Sequence, residues 1–232
     1  ARRQEARVLV ERLNDSYVPG RIRRAELARL VDRHLTEYIA RITGQRVRTS
    51  TEVRGFMLTQ LLFPFAVGAC DVLSGDIALF RDTGVFEPHV IAHEFCHRKG
   101  YLKELEAQAL AYLALASSGE PLLVQSALCE RLHRDLRVLA GEDPRRFQVL
   151  VEGSGLRPEL ARQFLAFRPE PGPLMGPVAT VMRAAYEARM RLTGQNGLSD
   201  YDLGFTSFLY TFERSTRARQ APPVAGTVWA RS

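Results

Sequence analysis

No stretch of this 232-residue chain approaches the roughly 20 unbroken apolar residues that a membrane-spanning helix needs. The most apolar segment, Gly55 to Phe80, is interrupted by Gln60, Pro64, Asp71 and Asp76, and it reads as buried strands. Lysine is nearly absent. Lys99 and Lys103 are the only two, so arginine carries the basic charge. Cysteine is scarce as well. Cys70, Cys96 and Cys129 form no C-x-x-C pair, and an odd count excludes a fully paired intramolecular set. No signal-like basic and apolar regions follow Ala1, and the expectation is an excised or processed piece.

What is present is an ordinary globular composition. Hydrophobic residues make up 46% and charged residues 25%, which excludes disorder as the main state and permits a sizeable core. The charge is +6, from 32 basic and 26 acidic residues, with acids interleaved nearly everywhere. Short clusters such as Arg21–Arg24 and Arg214–Arg219 do not concentrate on one segment as a nucleic-acid footprint would, so no nucleic-acid partner is expected.

The pattern along the chain is α+β and predominantly helical. Residues 1–45 carry two helices, over Ala6–Leu13 and Ala25–Ile42. The longer one has a stripe of Leu27, Leu30, Val31, Leu35, Tyr38 and Ile39. Residues 46–118 hold the only strand-like runs, near Val47, Val53, Leu61–Val67 and Ile77–Phe80, followed by two helices at 88–99 and 103–118. Residues 119–216 read as a helical part packed on the same domain, with helices at 120–140, 143–152, 158–167, 177–193 and 200–214. Pro121, Pro144, Pro158 and Pro177 sit at helix starts, and Gly119, Gly141 and Gly153 at ends. Residues 217–232 read as a flexible tail.

One segment carries chemistry. His93-Glu94-Phe95-Cys96-His97 is an H-E-x-x-H motif on a predicted helix. Residues i and i+4 share a helical face, so His93 and His97 can point ring nitrogens at one metal ion. Glu94 is rotated by about 100°, and it can reach a water instead of the ion. Such a pair suits zinc, with the glutamate as general base. His89 extends the ladder to i, i+4, i+8. One ion cannot take all three, because the outer two are about 12 Å apart along the axis. The rival pair His89/His93 has Val90 where the glutamate should stand, so His89 reads as a first-turn or rim residue.

A catalytic zinc site wants a third protein ligand. The following helix offers Glu104 and Glu106. A stripe of Leu102, Leu105, Ala109, Leu110, Leu113 and Ala116 contains Glu106, and a carboxylate in an apolar stripe is costly unless it is paired or metal-bound. The expected ligands are therefore His93, His97 and Glu106. Leu115 falls on the opposite face with Glu104 and Gln108, so the helix is not cleanly two-sided. Gly100 allows the turn between the helices. Cys96 reads as a small buried hydrophobe.

The run from His93 to Gln108, H-E-F-C-H-R-K-G-Y-L-K-E-L-E-A-Q, resembles the H-E-x-x-H-x-K-G-x-x-x-E-D-E-A-N segment of an uncharacterised bacterial membrane-protein family. The soluble part of that family is similar to zincin-type metallopeptidases of the gluzincin kind. Leu105 and Gln108 depart from the pattern. The similarity extends to Phe63–Pro64–Phe65, Gly75–Asp76 and Gly197–Tyr201. It implies a zincin-like domain with a small sheet before the metal helix, a Zn2+ cofactor and a peptide or protein substrate. It implies an oxyanion-donating role for Tyr201, with Tyr210 and Tyr112 as lesser candidates. In zincin-like folds the strand at Asp76–Phe80 is the sheet edge that receives an extended peptide. The resemblance also implies a soluble domain on the bacterial cell envelope, tethered through an N-terminal membrane segment. The expected function is a zinc-dependent metallopeptidase with Glu94 as base. The alternative is a catalytically inactive, zinc-stabilised binding or scaffold domain.

Overall fold

The computed structural model describes residues 2–55, 68–70, 76–79, 82–141, 143–167 and 176–215. Two helices open the chain, α1 (Arg2–Asp15) and α2 (Arg24–Thr43). Three short strands follow: β1 (Arg54–Gly55), β2 (Gly68–Cys70) and β3 (Ile77–Leu79). After a 3₁₀ turn at Gly84–Phe86 come α3 (Glu87–Arg98), α4 (Glu104–Ala116), α5 (Pro121–Ala140), α6 (Pro144–Glu152), α7 (Pro158–Ala166) and α8 (Gly176–Leu192). A π-helical turn at Asp200–Gly204 leads into α9 (Phe205–Arg214). The fold is α+β and predominantly helical, as expected. No helix of the described residues is long and apolar enough to cross a membrane.

The sheet order is β1-β3-β2. β3 pairs parallel with β1 (Ala78 opposite Arg54) and antiparallel with β2 (Leu79 opposite Gly68). The strand expected to offer a free edge is thus the central one, hydrogen-bonded on both sides, with Ile77 and Leu79 buried. β2 instead lies against α3. The expected runs at Leu61–Val67 and Phe63–Pro64–Phe65, and the tail from 217, lie outside the described residues, as do Gly75 and Phe80.

The core centres on α3, α4 and α5, which pack on one another, with α2 covering α3 and α4 and α1 covering α5. Leu35, Ile39, Phe86, Phe95, Tyr112 and Phe205 are completely enclosed. His133 sits within an aromatic shell of Phe86, Phe147, Phe164 and Phe167, with ring centroids 5.1–5.7 Å away. Burial lowers its pKa to about 3, so it serves as a neutral core ring.

α3 is buried from Glu87 to Cys96, an unusual demand for a helix with four ionisable side chains in that span. Its ends are fastened by ions. At the start, Arg24 Nε donates to Glu87 Oε1 at 2.6 Å. At the end, Arg98 donates to the carbonyls of Ser50 and Glu52 at 2.6 and 3.1 Å. The next residue, Lys99, has a fully buried side chain. Its ammonium donates to Asp32 Oδ1 (2.7 Å), Thr36 Oγ1 (2.9 Å), the Val47 carbonyl (3.0 Å) and Thr49 Oγ1 (3.3 Å). One cation therefore staples the segment after α2 to both α2 and the end of α3. Removing it strands a carboxylate and three other oxygens. Lys99→Met is expected to lower stability by about 3 kcal/mol in urea unfolding. A loss below about 0.5 kcal/mol, typical of surface substitutions, would contradict this role.

Candidate metal centre

Two consecutive helices build the site. α3 presents His93 and His97 one turn apart, and the chain then reverses within five residues. Gly100 makes the reversal possible with φ of 96°, and the Tyr101 amide donates back to the Cys96 carbonyl at 3.0 Å. α4 therefore starts beside the end of α3, with Glu104 in its first turn. A carboxylate is favoured there by the helix dipole.

The three donor atoms converge. His93 Nε2 is 3.1 Å and His97 Nε2 3.3 Å from Glu104 Oε2, and the two ring nitrogens are 3.1 Å apart. His97 Nδ1 lies 2.8 Å from the Tyr101 carbonyl, which can only accept. Nδ1 therefore carries the proton, and in the neutral ring the Nε2 lone pair faces the other two donors. Three lone pairs held this close repel unless a cation or proton sits among them.

The spacing fits zinc. Tetrahedral ligands at 2.0–2.1 Å from the ion lie about 3.3–3.4 Å from one another. Two imidazoles and a carboxylate are also the donor types zinc takes, and the fixed His97 tautomer is the usual support for a ligating ring. Among the described residues this is the one group of three or more potential ligands that close together.

The electrostatics of the cluster agree. Burial pulls the His97 pKa down, but the hydrogen bond and charge of Glu104, with Glu94 and the Tyr101 carbonyl, raise it to about 9. Burial pushes the Glu104 carboxyl up, and hydrogen bonds from His93 and His97 reverse this and hold it far below the usual carboxylate range.

Glu104, not Glu106, is thus the carboxylate the fold brings to the histidines. Glu106 is 52% exposed and lies 3.8 Å from Lys103 Nζ. The correction has a simple cause. α4 is buried on almost every side, and Glu104, Ala107, Gln108, Ala111 and Leu115 form its innermost row. Leu102, by contrast, is 51% exposed. His89 stands in the first turn of α3 and outside the cluster, as expected, but not at a rim. It is buried between α3 and α5, with its amide donating to Ser126 Oγ at 3.1 Å, and burial lowers its pKa to about 4. Cys96 is fully enclosed, as expected.

Two tyrosines complete the surroundings of Glu104. Tyr201 donates to Oε2 at 2.7 Å and Tyr186 to Oε1 at 2.5 Å. Gln195 Oε1 accepts from the Glu104 amide at 2.8 Å. The Tyr201 hydroxyl is therefore engaged with Glu104, where an oxyanion donor had been expected. Tyr186 and Gln195 carry no local sequence signal. They reach the site from α8 and its following loop. Tyr112 is far inside, its hydroxyl accepting from Arg131, and Tyr210 stacks under Arg214.

Residues 83–210, more than half of the sequence, match the family described as "Protein of unknown function (DUF3810)". The chain belongs to this family. No curated protein and no solved structure matches it. The DUF3810 match takes in both histidines, Glu94, Glu104, Tyr186 and Tyr201, so the whole centre lies within the family domain.

Glu94 is buried beside this cluster. Burial raises its carboxyl pKa, with His93 and His97 opposing and Glu104 reinforcing the rise. Its side chain is backed by β2: a Cβ at Gly68 would stand 3.1 Å from Glu94 Oε1 and 3.1 Å from Leu79 Cδ2. Gly68→Ala is expected to cost about 1–2 kcal/mol through this crowding, and about half of that in a Glu94→Ala background. Equal costs in both backgrounds, by chemical denaturation, would show that Gly68 does not bear on Glu94.

Proposed function

We propose that this domain is a zinc-dependent peptide hydrolase. The observation that carries the reading is the triangle of His93 Nε2, His97 Nε2 and Glu104 Oε2, with edges of 3.1–3.3 Å, beside a buried glutamate that is not part of it. His93, His97 and Glu104 would hold the ion, which when bound supplies Lewis acidity to a water molecule and to a substrate carbonyl.

The chain's own groups supply the rest. Glu94 follows the first ligand directly, so its carboxylate flanks the coordination face without occupying it. Its raised pKa suits a group that takes a proton from the attacking water and returns it to the departing amine. Tyr186 and Tyr201 hold both oxygens of Glu104, which keeps that carboxylate from swinging toward Glu94. The resemblance of His93–Gln108 to a membrane-protein family whose soluble part is similar to gluzincins supports peptides as the substrate class.

Glu94→Gln separates hydrolysis from metal binding. The variant is expected to keep zinc affinity within about threefold and to lose about 10³-fold in turnover of a quenched fluorescent peptide library. Undiminished turnover would refute Glu94 as the base. Zinc binding without turnover in the parent would favour a metal-stabilised binding domain.

A further inference from the structure

One guanidinium, with the glutamate it holds, links the two elements that frame Glu104. Arg134 lies on α5, and its Nε donates to Glu130 Oε1 at 2.6 Å. The same oxygen accepts from Gln108 Nε2 at 2.6 Å. Gln108 stands one turn after Glu104 on the innermost row of α4. On its other side Arg134 Nη1 donates to Asp202 Oδ1 at 2.9 Å, and Arg137 Nε donates to Asp202 Oδ2 at 2.9 Å. Asp202 adjoins Tyr201 in the π-helical turn, and the Arg134 guanidinium carbon lies 5.8 Å from the centroid of the Tyr201 ring.

Enclosing this many charges is expensive, and apolar side chains of similar volume would stabilise a core at least as well. What the ions provide is direction. A planar fork meets two carboxylates at fixed angles, which a lysine ammonium does not. We propose that Arg134 is a positioning residue for the metal centre, acting through Tyr201. By fixing Glu130, which itself accepts from Gln108 one turn after Glu104, and by holding the π-helical turn beside Tyr201, it sets the 2.7 Å contact between the tyrosine hydroxyl and the ligand carboxylate. The assignment rests on the zinc reading above.

A double-variant cycle tests it, using zinc affinity from chelator competition and the visible spectrum of the cobalt-substituted protein. Tyr201→Phe is expected to weaken zinc about tenfold and Arg134→Lys about fivefold. In the Tyr201→Phe background, Arg134→Lys is expected to change affinity by less than about 1.5-fold. The cobalt spectrum of Arg134→Lys should shift toward that of Tyr201→Phe. Should Arg134→Lys fail to fold by circular dichroism, Asp202→Asn breaks the same link from the better-hydrated side and enters the same cycle. Parent-like affinity in Arg134→Lys, or losses that multiply in the double variant, would overturn the positioning role and leave the zinc reading intact. A parent that takes up no zinc overturns both.

Discussion

The structure depends on one constraint, the burial of a carboxylate against two imidazoles. Glu104 is almost wholly enclosed, and an unpaired buried carboxylate is among the costliest features a fold can contain. Each of its oxygens is engaged: Oε2 by His93, His97 and Tyr201, and Oε1 by Tyr186. These partners come from α3, just before Glu104 in the chain, and from α8 and the π-helical turn, more than 80 residues after it. The carboxylate thus dictates where those elements sit.

The same constraint explains the ionic scaffolding. A helix as buried as α3 presents His89, His93 and Glu94 to the interior, where a core of purely apolar side chains could not satisfy them. The scaffold answers with charges at fixed points. Lys99 and Arg98 fasten the end of α3, Arg24 fastens its start, and Arg134 joins α5 to the turn that carries Tyr201. The arginine-rich composition is accounted for in part by internal ion pairs such as Arg24 with Glu87 and Arg134 with Glu130 and Asp202. Arg131 with Glu213 adds another, tying α5 to α9.

Much of the fold was legible in the sequence because helices announce themselves locally. Proline at the first turn and glycine beyond the last bracket α5 and α6 within a residue or two of their observed ends. The i, i+4 spacing of His93 and His97 identified half of the site without any tertiary information. The carboxylate of the cluster was not legible, because periodicity separates faces only when a helix has a wet side. α4 has almost none, and its seemingly polar row of Glu104, Gln108 and Ala111 is the row that faces α3 and α5. His89 lies in the first turn, as its position suggested, but it is buried for the same reason: α3 has no rim. Tyr186 and Gln195 act across more than 80 residues of chain, a relation that no local pattern encodes. The order of the strands, with β3 in the middle, likewise depends on pairings that short runs do not specify.

The most direct measurement is zinc content by elemental analysis of protein purified without chelators, for the parent, Glu104→Ala and Glu106→Ala. The zinc proposal predicts about one zinc per chain in the parent and in Glu106→Ala, and little or none in Glu104→Ala. Equal zinc in all three, or loss confined to Glu106→Ala, would contradict the centre described above.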